Sequence, residues 1–170
     1  DVFALINARK PGCSYPFKDL AGVGVAFKFA EALIRECGYD VDAYRRRFID
    51  LVAVGTVADV VPLLDENRVL VRYGIDEIPR SAKRGLRALL DRSGLAGKSV
   101  TAQNLAFVLG PGLNAAGRLD DASIAVNLLL TRDEAEAAQL AQALETCNRE
   151  RQNEQTRILE EAINQIKAKR

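Results

Sequence analysis

The composition of this chain is that of an ordinary folded protein, since 48% of its 170 residues are hydrophobic and 28% are charged, which excludes disorder along the whole chain. Its 24 Lys and Arg against 23 Asp and Glu give a net charge of +1, so the bulk charge indicates neither a nucleic-acid nor a membrane surface and any such binding must be local. The three dispersed cysteines and the absence of histidine indicate neither a disulfide framework nor a zinc site and favour the cytoplasm, and the apolar runs are shorter than the roughly 20 residues of a membrane span.

The chain opens with a short apolar run at residues 2–6, Val-Phe-Ala-Leu-Ile, which predicts a buried strand that leaves into a loop. No partner strand is evident downstream. With no Met at its start, the chain reads as a piece of a longer protein whose preceding part supplies the rest of a sheet.

The next segments predict helices. Apolar residues recur at helical spacing over residues 25–37, and Gly38 follows as a stop. Gly22 and Gly24 precede this helix, and they are compatible either with a phosphate at its N-terminus or with close helix packing, which we favour. A second helical pattern starts at Asp42, as one helix or as two joined near Gly55, and it ends or kinks at Pro62.

Residues 51–64 form an almost wholly apolar run with one carboxylate, Asp59. We expect a run this apolar to be buried, and a buried carboxylate is costly unless it is paired, hydrogen-bonded or bound to a metal. Asp50, the nearest acid upstream, lies on the opposite face of a continuous helix. The pattern therefore leaves two interpretations of Asp59: it bonds backbone N–H groups at a helix end, or it is one ligand of a metal site that other carboxylates complete.

Two further short helices are predicted over residues 67–78 and 83–90, and Thr101 is a plausible N-cap for a helix through Leu109. Gly110, Pro111 and Gly112 should stop that helix. We then expect a loop that holds Asn114 and Arg118. These side chains either satisfy local backbone groups, or Arg118 clamps an anion, because a planar guanidinium suits a bidentate phosphate contact.

A compact helix is predicted over residues 122–130, and residues 131–134 match a capping box. From there the pattern stays helical to Arg170, a length of roughly 58 Å at 1.5 Å per residue. The middle of this helix is polar on all sides, as in a connector between two domains. An apolar stripe then returns at Ile158, Leu159, Ile163 and Ile166, and we expect it to have a partner outside the chain or in a second copy.

Four stretches taken together resemble the RecJ family of single-strand-specific exonucleases, within the DHH phosphoesterase superfamily. They are residues 13–28 (CSYPFKDLAGVGVAFK), 50–63 (DLVAVGTVADVVPL), 109–123 (LGPGLNAAGRLDDAS) and 148–152 (NRERQ). They span nearly the whole chain in the family's order.

The resemblance implies an α/β catalytic domain with a parallel sheet, joined by a long helix to a second, DHHA1-type domain. In this chain it implies a mainly α fold with one short strand. Residues 1–130 would be the C-terminal part of the catalytic domain, and residues 131–170 the connector helix.

The resemblance also implies the chemistry. Such enzymes hold two divalent metals, Mn²⁺ or Mg²⁺, on aspartates and histidines from several motifs, and these metals activate water for attack on a phosphodiester. The aspartate of the family's Gly-Thr-Val-Ala-Asp motif falls on Asp59, which is thereby assigned as a metal ligand. By the same matching, Asn114 and Arg118 line the nucleic-acid path, with Arg118 on a phosphate.

The implied activity is 5′→3′ exonuclease action on single-stranded DNA in cytoplasmic recombination and repair, with a single-strand-binding protein as a candidate partner. The Asp-His-His motif that names the superfamily is absent here, because the chain has no histidine, so we expect the chain alone to be inactive. Two alternatives stay open: a non-catalytic replication scaffold of the same fold, and a DHH phosphodiesterase acting on nucleotides or short oligonucleotides.

Overall fold

The computed structural model describes residues 4–119 and 122–168, apart from the side chains of Ala116, Arg118 and Leu119. Within these ranges the regular structure is helical and no residue forms a strand. The prediction of a mainly α chain is therefore confirmed.

The predicted short strand at residues 2–6 is wrong wherever the structure describes it. Ala4, Leu5 and Ile6 have no regular secondary structure, and the side chains of Leu5 and Ile6 are 64% and 55% exposed rather than buried. Val2 and Phe3 lie outside the described residues. A strand needs a neighbouring strand for its N–H and C=O groups, and none of the described residues supplies one.

The chain divides into two compact units, which are described separately. The first unit comprises Asp1–Ser81 and Leu95–Gly110, and the second comprises Ala82–Gly94 and Pro111–Arg170.

Three helices form the body of the first unit. They are α1 (Gly22–Glu36), α2 (Val41–Ala58) and α3 (Asp65–Glu77), and a 3₁₀ turn (Ile78–Arg80) follows α3. Helix α2 is one continuous helix, so the alternative of two helices joined near Gly55 is wrong. It begins at Asp40, whose carboxylate accepts the backbone N–H groups of Asp42 and Ala43, the usual arrangement of an N-cap.

Helix α2 is the central element of the first unit, because both α1 and α3 pack against it. Phe27, Ile49 and Val52 form a buried cluster between α1 and α2. The crossing with α3 is closest at Gly74, where an added Cβ would lie 2.3 Å from the carbonyl oxygen of Ile49 and 2.5 Å from the Cβ of Ala53. Any side chain at position 74 would therefore separate the two helices.

The predicted helix at Thr101 is longer than expected. Thr101 caps it, since its hydroxyl accepts the N–H of Asn104 in a capping box. Three segments then follow without a break: α5 (Ala102–Asn104), a π-helical turn (Leu105–Leu109) and α6 (Gly110–Leu119).

The predictions of a helix stop at Gly-Pro-Gly and of a loop after it are wrong, because both segments lie within helix α6. A proline inside a helix removes one backbone hydrogen bond and crowds the preceding turn. The wider π turn, Leu105–Leu109, ends two residues before Pro111, in the turn where that bond is missing and room is needed.

The second unit is built on the first half of one long helix. Its helices are α4 (Arg84–Arg92), α7 (Ser123–Leu130) and α8 (Glu134–Ala168). Helices α4 and α7 pack against each other and against α8, which buries Ala137, Ala141 and Leu144. Ion pairs join Arg84 to Glu134 and Arg92 to Glu145.

The long terminal helix is confirmed by α8, which runs for 35 residues, or about 52 Å. Its capping residue is Asp133 rather than Thr131, because the carboxylate of Asp133 accepts the N–H of Glu136 at 2.7 Å. The terminal stripe is exposed as expected, with Leu159 and Ile166 both 60% accessible.

Candidate functional site

Asp59, the sequence-predicted metal ligand, is the C-cap residue of α2. Its side chain is exposed, so the prediction that it is buried is wrong. The apolar run does form a buried helix, with Val52, Val54 and Val57 each at most 6% accessible. That helix ends at Ala58, however, and the carboxylate beyond it projects from the packed region.

The charge of Asp59 is unfavourably placed, because the C-terminus of a helix carries a partial negative charge. The last turn of α2 contains no basic residue. Among the described residues no hydrogen bond or ion pair reaches the carboxylate of Asp59. The first interpretation, in which this side chain bonds backbone N–H groups, is therefore not what the structure shows.

Thr56, three residues before Asp59, and Val60, directly after it, also have unfavourable local environments. Thr56 is fully buried, and its hydroxyl finds no hydrogen-bond partner among the described residues, an arrangement that costs about 1–3 kcal/mol. Val60 has a φ of 58°, a left-handed conformation that is rare for a β-branched residue. Three unfavourable features thus occur within the five residues 56–60.

Residues 60–65 connect α2 to α3 and are strained at both ends. Asp65, the first residue of α3, also has a positive φ, of 41°. Between these two residues, the carbonyl of Pro62 accepts a 3.0 Å hydrogen bond from the side-chain amide of Asn67. Asn67 is completely buried, and sequence reasoning missed it because a single Asn in a polar helical stretch carries no distinctive signal.

Glu66, beside Asn67 in the first turn of α3, anchors the N-terminal loop to the helices. Its carboxylate accepts the Tyr15 hydroxyl at 2.5 Å and forms an ion pair with Lys28 on α1. Partial burial by itself would raise the pKa of Glu66, but the hydrogen bonds from Lys28 and Tyr15 outweigh it and hold this pKa below the usual value. Glu66 is therefore ionised at neutral pH and engaged structurally.

The buried carboxylate of α2 is Asp50 rather than Asp59. Asp50 is 2% accessible. It accepts the Ser81 hydroxyl at 2.7 Å and the backbone N–H of Leu51 at 2.7 Å. A buried carboxylate bound in this way is satisfied by its hydrogen bonds, which explains how the apolar core of the first unit tolerates an acid.

A groove of about 690 Å³ also lies among α1, α2 and α3, apart from Asp59. Its floor is apolar and includes Phe27, Ile49 and Leu70. Its charged lining residues include four bases and four acids and so favour neither anions nor cations. These are the bases Lys28, Arg45, Arg46 and Arg80 and the acids Glu31, Glu66, Asp76 and Glu77.

The end of α2 lies close to Gly110, within the first unit. An added Cβ on Gly110 would lie 3.4 Å from the Cβ of Ala58 and 2.9 Å from the carbonyl oxygen of Leu105. Gly110 therefore permits a close approach of backbone immediately before Asp59. In this case the glycine in the Gly-Pro-Gly run serves packing rather than helix termination.

The two predicted nucleic-acid contacts, Asn114 and Arg118, both lie on α6 in the second unit. Asn114 is exposed. The side chain of Arg118 is outside the described part of the chain, so its predicted phosphate contact stays a prediction. The four-residue spacing places both residues on one face of α6.

Asp59 fits a divalent cation as one ligand and not as a complete site. An exposed carboxylate with no cationic protein partner is the type of donor that Mg²⁺ and Mn²⁺ prefer. Across residues 4–119 and 122–168, however, no group of three or more His, Cys, Asp or Glu residues could hold a metal ion. In the same ranges no helix has the length and apolar character needed to cross a membrane.

Comparison with known proteins confirms the resemblance seen in the four motifs. The chain is 42% identical over 166 residues to the single-stranded-DNA-specific exonuclease RecJ of Bacillus subtilis, covering 98% of this chain and 20% of that protein. It is 44% identical over 169 residues to RecJ of Dickeya dadantii, covering 94% of this chain and 29% of that protein. The chain thus spans between a fifth and a third of the length of these curated relatives. No family model matches it.

Solved structures agree with the sequence comparison. RecJ of Thermus thermophilus in complex with Mg²⁺ superimposes with a TM-score of 0.78 at 39% identity, covering 87% of this chain and 23% of that one. A structure of exonuclease RecJ bound to manganese gives a TM-score of 0.81 at 39% identity, covering 91% of this chain and 39% of that one. Over nearly its whole length, the chain is similar to part of RecJ in both sequence and fold.

Proposed function

We propose, from this similarity to part of RecJ, that the chain contributes to a metal-dependent 5′→3′ exonuclease acting on single-stranded DNA. Asp59 would be one ligand of its divalent metals, Mn²⁺ or Mg²⁺. The remaining ligands would come from other parts of a longer protein, so the chain alone would be inactive.

The structural observation that supports Asp59 as a metal ligand is the cluster of unfavourable local features around it. Three features reduce stability: a carboxylate at the negative end of a helix and a buried hydroxyl at Thr56, neither with a partner in the described part of the chain, and a left-handed valine at position 60. Stable sequences avoid such features except where function requires them. A divalent cation beside Asp59 would offset the unfavourable charge of the carboxylate.

When bound, the metals would polarise the scissile phosphate and activate the attacking water. The contribution of this chain would be to hold one carboxylate in a fixed position. Helix α2 does so through its burial between α1 and α3, and the close contact of Ala58 with Gly110 fixes its last turn.

In the longer protein we place residues 1–130 in the catalytic domain, whose α/β sheet would be completed by other segments. Residues 131–170 would connect it to a second domain. The exposed stripe at Leu159, Ile163 and Ile166 supports that role, since it needs a covering surface.

Asn114 and Arg118 would bind the nucleic acid, with Arg118 on a backbone phosphate. Arg118→Ala in the full-length protein should weaken binding of single-stranded DNA and reduce the slope of log K against log[salt] by about 0.7, the value for one phosphate contact. Fluorescence anisotropy over a salt series measures that slope. Arg72→Ala is the control, because Arg72 is exposed and paired with Asp76 on α3. An unchanged slope for Arg118→Ala would count against the phosphate contact.

The activity itself is tested by incubating the full-length protein with 5′-phosphorylated single-stranded DNA and Mn²⁺. We expect nucleotides to be released from the 5′ end, EDTA to stop the release, and added Mn²⁺ to restore it. A protein that binds the DNA without cutting it would support the replication scaffold, and cutting of only dinucleotides or short oligonucleotides would support the phosphodiesterase. The exonuclease proposal is also the sole basis for a role in cytoplasmic repair and recombination. The same holds for a single-strand-binding protein as partner.

A further inference from the structure

We propose that Asn67 is a positioning residue for Asp59, acting through the backbone of residues 60–65. The proposal rests on the proposed role of Asp59 as a metal ligand. Asn67 does not touch Asp59. Its effect would be transmitted through Pro62, which lies three residues after Asp59 in the chain.

The side-chain amide of Asn67 is fully used within the protein. Its nitrogen donates to the carbonyl oxygens of Pro62 at 3.0 Å and Asp19 at 2.8 Å, and its oxygen accepts the N–H of Ala21 at 3.1 Å. The side chain is 0% accessible. Asn67 thus joins the connection after Asp59 to the segment that precedes α1, and both are backbone segments without regular structure.

The connection needs such a restraint because it is held in an unfavourable conformation. Val60 and Asp65 both have positive φ angles, and Val60 is 87% exposed, so packing of its side chain does not impose the conformation. Strained backbone persists only where surrounding contacts determine it. Within residues 60–65, the bond from Asn67 to Pro62 is the restraint that comes from a buried side chain.

The direction of the Asp59 carboxylate depends on the backbone that carries it. No described residue hydrogen-bonds or pairs with its side chain, so its direction is set by the backbone at the end of α2 and by the residues that follow. The N–H groups of Asp59 and Val60 donate to the carbonyls of Gly55 and Val57 at 3.1 and 3.2 Å. Release of Pro62 would therefore act on the carboxylate by letting the connection, and with it this last turn of α2, shift. Misplacement of a ligand by about 1 Å is enough to weaken a metal site greatly.

The test measures Mn²⁺ affinity of the full-length protein from the electron paramagnetic resonance signal of free Mn²⁺, alongside KM for single-stranded DNA. Asn67→Ala should weaken Mn²⁺ binding about tenfold and leave KM for DNA within twofold. Leu144→Ala is the matched control: Leu144 is equally buried but lies on α8 in the second unit, so it should lower thermal stability without changing Mn²⁺ affinity. If Asn67→Ala does not fold, Asn67→Ser, which loses the amide donors to Pro62 and Asp19 without burying a charge, replaces it.

The outcomes separate this proposal from the one on which it rests. Unchanged Mn²⁺ affinity in the Asn67 variants, or an equal loss in Leu144→Ala, overturns the positioning role. Asp59→Asn is measured in the same assay. If that variant binds Mn²⁺ like wild type, the metal role of Asp59 fails, whatever Asn67 does. If both single variants weaken binding and the double variant is no weaker than Asp59→Asn, the two residues act on the same ligand.

Discussion

Asp59→Asn should lower the rate of single-stranded DNA degradation by the full-length protein about 10³-fold, which corresponds to about 4 kcal/mol of lost transition-state stabilisation. The amide has the shape of the carboxylate but not its charge, so a divalent cation loses one anionic ligand. The same change removes a negative charge from the C-terminus of α2. The melting temperature should therefore stay the same or rise slightly.

This opposite movement of activity and stability distinguishes a functional carboxylate from a structural one. Asp76→Asn is the control, since Asp76 is an exposed aspartate on α3 that pairs with Arg72, and it should keep full activity. An Asp59→Asn protein that melts several degrees lower while still degrading DNA would return Asp59 to a structural role.

Gly74→Ala should destabilise the chain by about 3 kcal/mol, a large part of the 5–15 kcal/mol that typically stabilises a domain. The new methyl group would meet the backbone carbonyl of Ile49 at 2.3 Å, and a backbone atom of a packed helix cannot move aside as a flexible side chain does. The clash exceeds the gain of up to about 1 kcal/mol that Gly→Ala normally brings within a helix. Urea unfolding monitored by circular dichroism measures the change.

Gly22→Ala is the matched control for this effect. It also lies in a helix of the first unit, but an added Cβ there has no neighbour within 4 Å. Its stability should be equal to or slightly above wild type. If Gly74→Ala were as stable as Gly22→Ala, α2 and α3 could not pack as closely at Gly74 as described.

Most helices were predictable because their signals are local. Thr101 was predicted as a cap and caps α5 with its own side chain. The apolar periodicity of residues 25–37 predicted α1 but not its packed face, because Val23 and Phe27 pack on α2, whereas Phe29 and Leu33 are 48% and 50% exposed. The polar middle of α8 likewise predicted a continuous helix, because it contains no Gly or Pro to interrupt it.

The errors arose where the outcome depended on distant residues. An apolar run at residues 2–6 becomes a strand only if a partner strand is present. The Gly-Pro-Gly run reads as a stop, yet the π turn before Pro111 carries the helix past it. The burial of Asp59 was inferred from its apolar neighbours, but a helix that ends one residue earlier exposes it.

The candidate site was predicted only in part. The motif match selected Asp59 by its residue type and surroundings, which needed no coordinates. The role of Asn67 could not be predicted, because it depends on carbonyls of Asp19 and Pro62 that only the folded chain brings together. The same applies to Asp50, whose burial is tolerated through Ser81, 31 residues further along the chain.

The most direct test of the central claim is anomalous X-ray diffraction at the manganese edge from crystals of the full-length protein grown with Mn²⁺. We expect a manganese peak within about 2.0–2.4 Å of a carboxylate oxygen of Asp59, the coordination distance of a hard divalent cation. The same crystals of Asp59→Asn should show that peak weakened or lost. A fully occupied manganese site whose ligands do not include Asp59 would contradict the account.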